Sequence, residues 1–141
     1  MTDKLRFLLV KHGAIVTIIG TIAGLVYGFV ITGDMSGSVK SWHLAHLQGV
    51  LTGILMLAAS SYIDHISLTE NKRRFLAYAL IITGYCYSIG PIWGAVFNVR
   101  GIQPSEPLSN LIMFTSNTVA SISVLLALLL SFWGAGKKLR T

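Results

Sequence analysis

Four stretches without a charged side chain, at 13–33, 41–63, 75–99 and 108–136, divide this chain of 141 residues. Each reaches or exceeds the ~20 residues that an α-helix needs to cross the hydrocarbon core of a bilayer. Hydrocarbon offers nothing to a peptide N–H or C=O, so a crossing segment has to satisfy its own backbone, and runs of this length do so as helices. The four runs take up nearly all of a sequence that is 53% hydrophobic and 11% charged, far from the balance of a water-soluble domain. The predicted class is an all-α membrane protein, a single integral membrane domain over 1–141 with helices at about 8–33, 41–64, 74–99 and 108–136. Lys4, Arg6 and Lys11 precede the first run as they would in a signal peptide. Its apolar core is too long for one and no small-residue cleavage site follows, so it is expected to stay as the first helix.

The connections are short and rich in turn formers: Gly33, Asp34, Ser36, Gly37 and Ser38 in the first, and Gly101, Pro104, Ser105 and Pro107 in the third. Short connections make neighbours antiparallel, which predicts an up-down-up-down four-helix bundle. Of the eleven Lys and Arg, nine fall on one side: Lys4, Arg6 and Lys11, then Lys72, Arg73 and Arg74 in the second connection, then Lys137, Lys138 and Arg140 in the tail. Only Lys40 and Arg100 fall on the other, so the positive-inside rule predicts both termini in the cytoplasm. That asymmetry accounts for the net charge of +6 without a nucleic-acid partner. The lone Cys86 excludes a disulfide within the chain.

Inside these apolar runs the most informative side chains are two histidines, His43 and His46. His46 lies about four residues, ~6 Å, inside the membrane boundary, and His43 one turn nearer the surface on roughly the same face. That face continues through Gly49, Gly53 and Leu57. Two readings fit: an imidazole above a glycine groove suits a planar macrocycle, with the nitrogen as axial ligand, and a histidine near the interface also hydrogen-bonds to lipid headgroups. The strip Gly49-x-x-x-Gly53 likewise serves a flat ring or plain helix packing. His12 and His65 sit beside basic residues at the cytoplasmic ends, where interfacial roles are expected.

Tyr85, Cys86, Tyr87 and Ser88 interrupt the third run at mid-depth, ahead of Gly90-Pro91, where the proline ring removes a helical hydrogen bond and can open a cavity. Asn110, Asn117 and Ser121 share a face of the fourth run, suited to interhelical hydrogen bonds or to a substrate. No phosphate loop, H-E-x-x-H, C-x-x-C or G-x-S-x-G motif is present, and no carboxylate stands within a span to relay protons. That argues against an ordinary proton-coupled transporter.

The stretch Trp42-His43-Leu44-Ala45-His46-Leu47-Gln48-Gly49-Val50-Leu51-Thr52-Gly53, with Lys11-His12-Gly13 ahead of it, resembles the small four-helix membrane isomerases typified by styrene oxide isomerase and hydroxylaminobenzene mutase. The likeness extends along nearly the whole chain, through Arg100-Gly101 and Trp133-Gly134. It implies an inner-membrane homotrimer with haem b at each subunit interface and His46 as the axial metal ligand, near His43, Gly49 and Gly53. It further implies a small apolar aromatic substrate, an epoxide converted to an aldehyde by a 1,2-hydride shift with ferric iron as Lewis acid. An asparagine that the family places six residues after the axial histidine is Thr52 here, a family tyrosine falls on Pro91 and a helix-3 asparagine on Tyr87. Tyr85, Tyr87 and Thr52 are therefore the candidate pocket residues. The alternatives are a hydroxylaminoarene mutase, a non-enzymatic haem protein for electron transfer or sensing, and a structural subunit without haem.

The charge asymmetry generates a direct test. In a chain carrying Cys86→Ala, a Ser36→Cys variant is expected to react with a membrane-impermeant thiol reagent in intact cells; labelling only after the inner face is opened would reverse the topology.

Overall fold

A computed structural model describes residues 2–138 as four helices: α1 (Thr2–Thr32), α2 (Val39–Tyr62), α3 (Glu70–Phe97) and α4 (Leu108–Lys138). All four are long and apolar enough to span a bilayer. The exposed surface carries large apolar side chains along every helix, among them Phe29, Leu51, Val96 and Phe132, as suits a surface set in a bilayer. This is a multi-pass membrane protein.

Two boundaries differ from the sequence expectation. α1 starts near the N-terminus, with Asp3 in its first turn against the positive end of the helix dipole. α3 starts at Glu70, so Lys72, Arg73 and Arg74, expected in a connection, lie in its first turns, where Arg74 pairs with Glu70 at 3.2 Å. Of the predicted basic tail, Arg140 lies outside the described residues. α3 ends at Asn98 in the left-handed conformation (φ 52°), which asparagine tolerates better than most residues.

Glycine sets the packing of α1 on α2. Beside Gly20 a Cβ would fall 2.5 Å from the backbone nitrogen of Val50, and beside Gly49 it would fall 2.6 Å from the Cα of Gly20. Thr17 and the Gly13 carbonyl fill the space at Gly53. Residues 13, 20 and 24 of α1 thus meet 56, 49 and 46 of α2 in reverse order, and the two helices run antiparallel. Of the two readings of the Gly49–Gly53 strip, the seat for a flat ring is corrected and helix packing holds: α1 occupies the strip, because two small-residue strips on adjacent helices can bury more contact against each other than against lipid.

α3 is the central helix and touches each of the others. Its polar residues are satisfied locally, with the hydroxyls of Thr83 and Ser88 donating to the carbonyls of Ala79 and Gly84, each at 2.8 Å. Among the described residues α4 approaches α3 closely but neither α1 nor α2 along its length. Its links beyond α3 are at the termini end, where Tyr62 and Ser131 hydroxyls lie 3.1 Å apart and Ser67 N–H donates to the Gly134 carbonyl. The four helices therefore do not enclose a common interior; α1, α2 and α3 form the packed unit and α4 lies on its outside.

Two apolar cores result. The one at the termini end joins Leu9, Val16, Met56, Ile63, Leu76 and Leu80, and the one at the far end joins Ala23, Val30, Trp42, Ala45 and Ala95. Between them lies a waist of small residues, Gly20, Gly49 and Ser88. Gly49→Leu is expected to cost at least about 1–3 kcal/mol by overpacking this waist, whereas Gly28→Leu, where a Cβ meets nothing within 4 Å, is expected to be close to neutral; thermal unfolding in detergent followed by circular dichroism compares them.

Candidate functional site

His46 stands at the waist, on the edge of α2 nearest α1. Its ring fills the notch at Gly24, where a Cβ would fall 2.5 Å from Nδ1, and Nδ1 lies 2.9 Å from the carbonyl oxygen of Gly20. A carbonyl can only accept, so Nδ1 carries a proton, and in the neutral imidazole the lone pair is then on Nε2. Among the described residues Nε2 makes no hydrogen bond. The side chain is half-buried, and its position depends on two glycines of α1: Gly24 yields the space and Gly20 the acceptor. A ring nitrogen anchored to a backbone carbonyl, with its partner nitrogen bare, is how proteins orient a metal-ligating imidazole.

His43, one turn away, is exposed and stacks on Tyr27 with ring centroids 5.1 Å apart. Thr52 is buried and its hydroxyl is spent within α2, donating to the Gln48 carbonyl at 2.6 Å. Tyr85 and Tyr87 point to different neighbours. The Tyr85 hydroxyl meets Nδ1 of His12 at 2.8 Å across α1 and α3, and the Tyr87 hydroxyl meets Ser121 Oγ at 2.7 Å on α4. Within one chain, then, the structure does not bring Thr52, Tyr85 and Tyr87 together around His46.

His12, expected at the interface, is instead half-buried and paired with Tyr85. Asn110 is a staple for the α3–α4 connection: its Oδ1 accepts from Gly101 N–H and its Nδ2 donates to the carbonyls of Gln103 and Ser105. Asn117 and Gln48 each hold a buried side-chain oxygen without a hydrogen bond. Pro91 is buried in α3 and lines a cavity of about 360 Å³ at the far end. That cavity, and those of about 560 and 580 Å³ elsewhere on the surface, do not include His46.

The family model for styrene oxide isomerase matches residues 5–136, from the first turns of α1 to the last turns of α4. The chain belongs to that family. No curated protein matches it. Membership in the styrene oxide isomerase family gives the chain an isomerase-type function.

The His12–Tyr85 bond crosses two helices within the span, where such bonds contribute about 0.6 kcal/mol on average and up to about 1.7. Tyr85→Phe is expected to lower thermal stability by that order, and combining it with His12→Phe should cost little more than either change alone, as a double-mutant cycle in detergent would read.

Proposed function

We propose that this chain is an isomerase of the inner membrane, assembled as a homotrimer with both termini in the cytoplasm, that holds haem b on His46 and converts a small apolar aryl epoxide to the aldehyde. The observation that carries this reading is the hydrogen bond from His46 Nδ1 to the Gly20 carbonyl, which leaves Nε2 bare. A bare metal ion asks for three or four side-chain ligands, and among the described residues no three of His, Cys, Asp and Glu gather to hold one. Iron that brings four equatorial nitrogens asks for one, which the imidazole can give. The donor set fits haem. Ferric haem, when bound, supplies a Lewis acid for the epoxide oxygen.

The chain's own residues supply the rest. His46 binds and orients through Nε2, and the Gly20 carbonyl holds its proton on Nδ1. Because α1 already fills the Gly49–Gly53 strip, a macrocycle held by Nε2 would find no room there within the single subunit, which supports a seat between copies. The Tyr87 hydroxyl, held by Ser121 on a side of α3 and α4 that α1 does not cover, is the group we assign to orient the substrate oxygen, contributed to a neighbouring copy's site. An intramolecular hydride shift passes no proton through the protein and so requires no general base, which agrees with four apolar runs that hold no carboxylate.

His46→Ala is expected to abolish the Soret band and aryl-epoxide isomerisation while the protein still inserts, with partial spectral recovery in added imidazole. His43→Ala and His12→Ala are expected to keep most of the haem. A normal Soret band in purified His46→Ala, or loss of it in His43→Ala, would remove the assignment. A six-coordinate low-spin spectrum unmoved by styrene oxide would favour electron transfer over catalysis. Tyr87→Phe is expected to retain haem and lower kcat/KM about tenfold, about 1.4 kcal/mol of transition-state stabilisation.

A further inference from the structure

The end of the molecule remote from the termini carries two cations, Lys40 and Arg100, and two carboxylates, Asp34 and Glu106. The charges do not pair. Among the described residues neither Lys40 nor Arg100 makes an ion pair or a hydrogen bond, and Asp34 is engaged by the Thr32 hydroxyl. Instead both cations line one cavity of about 360 Å³ between the start of α2, the end of α3 and the start of α4. No acidic side chain lines it.

The start of α2 adds to the same positive field. Ser38 caps the helix through its hydroxyl, and the first turn contains Lys40 and no acidic residue. A lysine at that position is disfavoured by the helix dipole, whose positive end it meets. Lys40, Arg100 and the dipole thus stand uncompensated around one cavity, and an anion stabilises all three. A phosphate does so with oxygens that accept from helix N–H groups, an ammonium and a guanidinium together. The remaining walls are apolar, from Leu44, Pro91, Ile102 and Met113. Leu44 and Ile102 are exposed apolar side chains at the rim of the cavity, which favours an anion that carries its own hydrocarbon over a free ion.

We propose that this cavity binds the phosphodiester headgroup of an anionic phospholipid, with the glycerol and upper chains against Leu44 and Ile102. The site is separate from His46: the imidazole turns toward Gly20 of α1, whereas the cavity is lined by the start of α2, the end of α3 with the connection after it, and Met113 of α4. It therefore stands independently of the isomerase reading. Basic pockets between membrane helices recognise lipid headgroups by the same electrostatics.

The test uses the full chain, purified in detergent and mixed with phosphatidylglycerol or phosphatidylcholine of identical acyl chains, with bound lipid read by native mass spectrometry. The wild type is expected to retain phosphatidylglycerol about tenfold more than phosphatidylcholine. The K40Q/R100Q variant should lose that preference and the charge-conserving K40R/R100K variant should keep it, which separates loss of charge from loss of fold. Equal retention of the two lipids by the wild type, or undiminished phosphatidylglycerol binding by K40Q/R100Q, would overturn the proposal. Displacement of the lipid by inorganic phosphate would assign the cavity to the free anion and overturn the lipid source.

Discussion

The close approach of α1 to α2 is the constraint on which the rest of this molecule depends. Between membrane helices there is no hydrophobic gain from leaving water, so association rests on contact area and hydrogen bonds. Gly20 and Gly49 supply the first by letting two backbones meet without a side chain between them. The same approach brings the Gly20 carbonyl within 2.9 Å of His46 and opens the notch at Gly24 that the ring occupies. Packing and site geometry are here one arrangement, since the spacing that lets the helices touch also fixes which nitrogen of the imidazole remains bare.

A second consequence concerns where chemistry can be housed. With α4 laid on α3 and linked to the rest only near the termini end, the described residues enclose no four-helix interior, and the waist between the two apolar cores is filled by Gly20, Gly49 and Ser88. Any sizeable ligand has to use the outer surface, either a groove facing lipid or a seam between copies. The separation of Tyr85 and Tyr87 follows the same logic. Two residues apart on a helix they point to different sides, and each finds a partner on a different neighbour, His12 on α1 and Ser121 on α4.

Much of this was legible in the sequence, and the limits have physical causes. Four uncharged runs announced four helices, and the order of small and aromatic residues around His46 identified the side chain that the structure anchors. The partner of Gly49 and Gly53 was not legible from α2 alone. The signal lay in Gly13, Gly20 and Gly24 of α1, which match the glycine strip only when the two helices are laid antiparallel. His12 was misplaced because its neighbours Lys11 and Arg6 suggested the interface, while its bond to Tyr85 joins residues 73 positions apart. Lys72, Arg73 and Arg74 were read as a connection because charge ends a membrane span; it does not end a helix, and Glu70 gives Arg74 a partner one turn away.

The order in which these contacts appear along the chain has a bearing on biogenesis. Gly20, Gly24, Gly49 and His46 all lie within the first 62 residues, in a hairpin that leaves the ribosome before α3 and α4 exist. Every contact that sets the imidazole's tautomer is contained in that hairpin. A nascent chain can therefore present an oriented imidazole while its second half is still being synthesised, before α3 packs on the hairpin and α4 on α3.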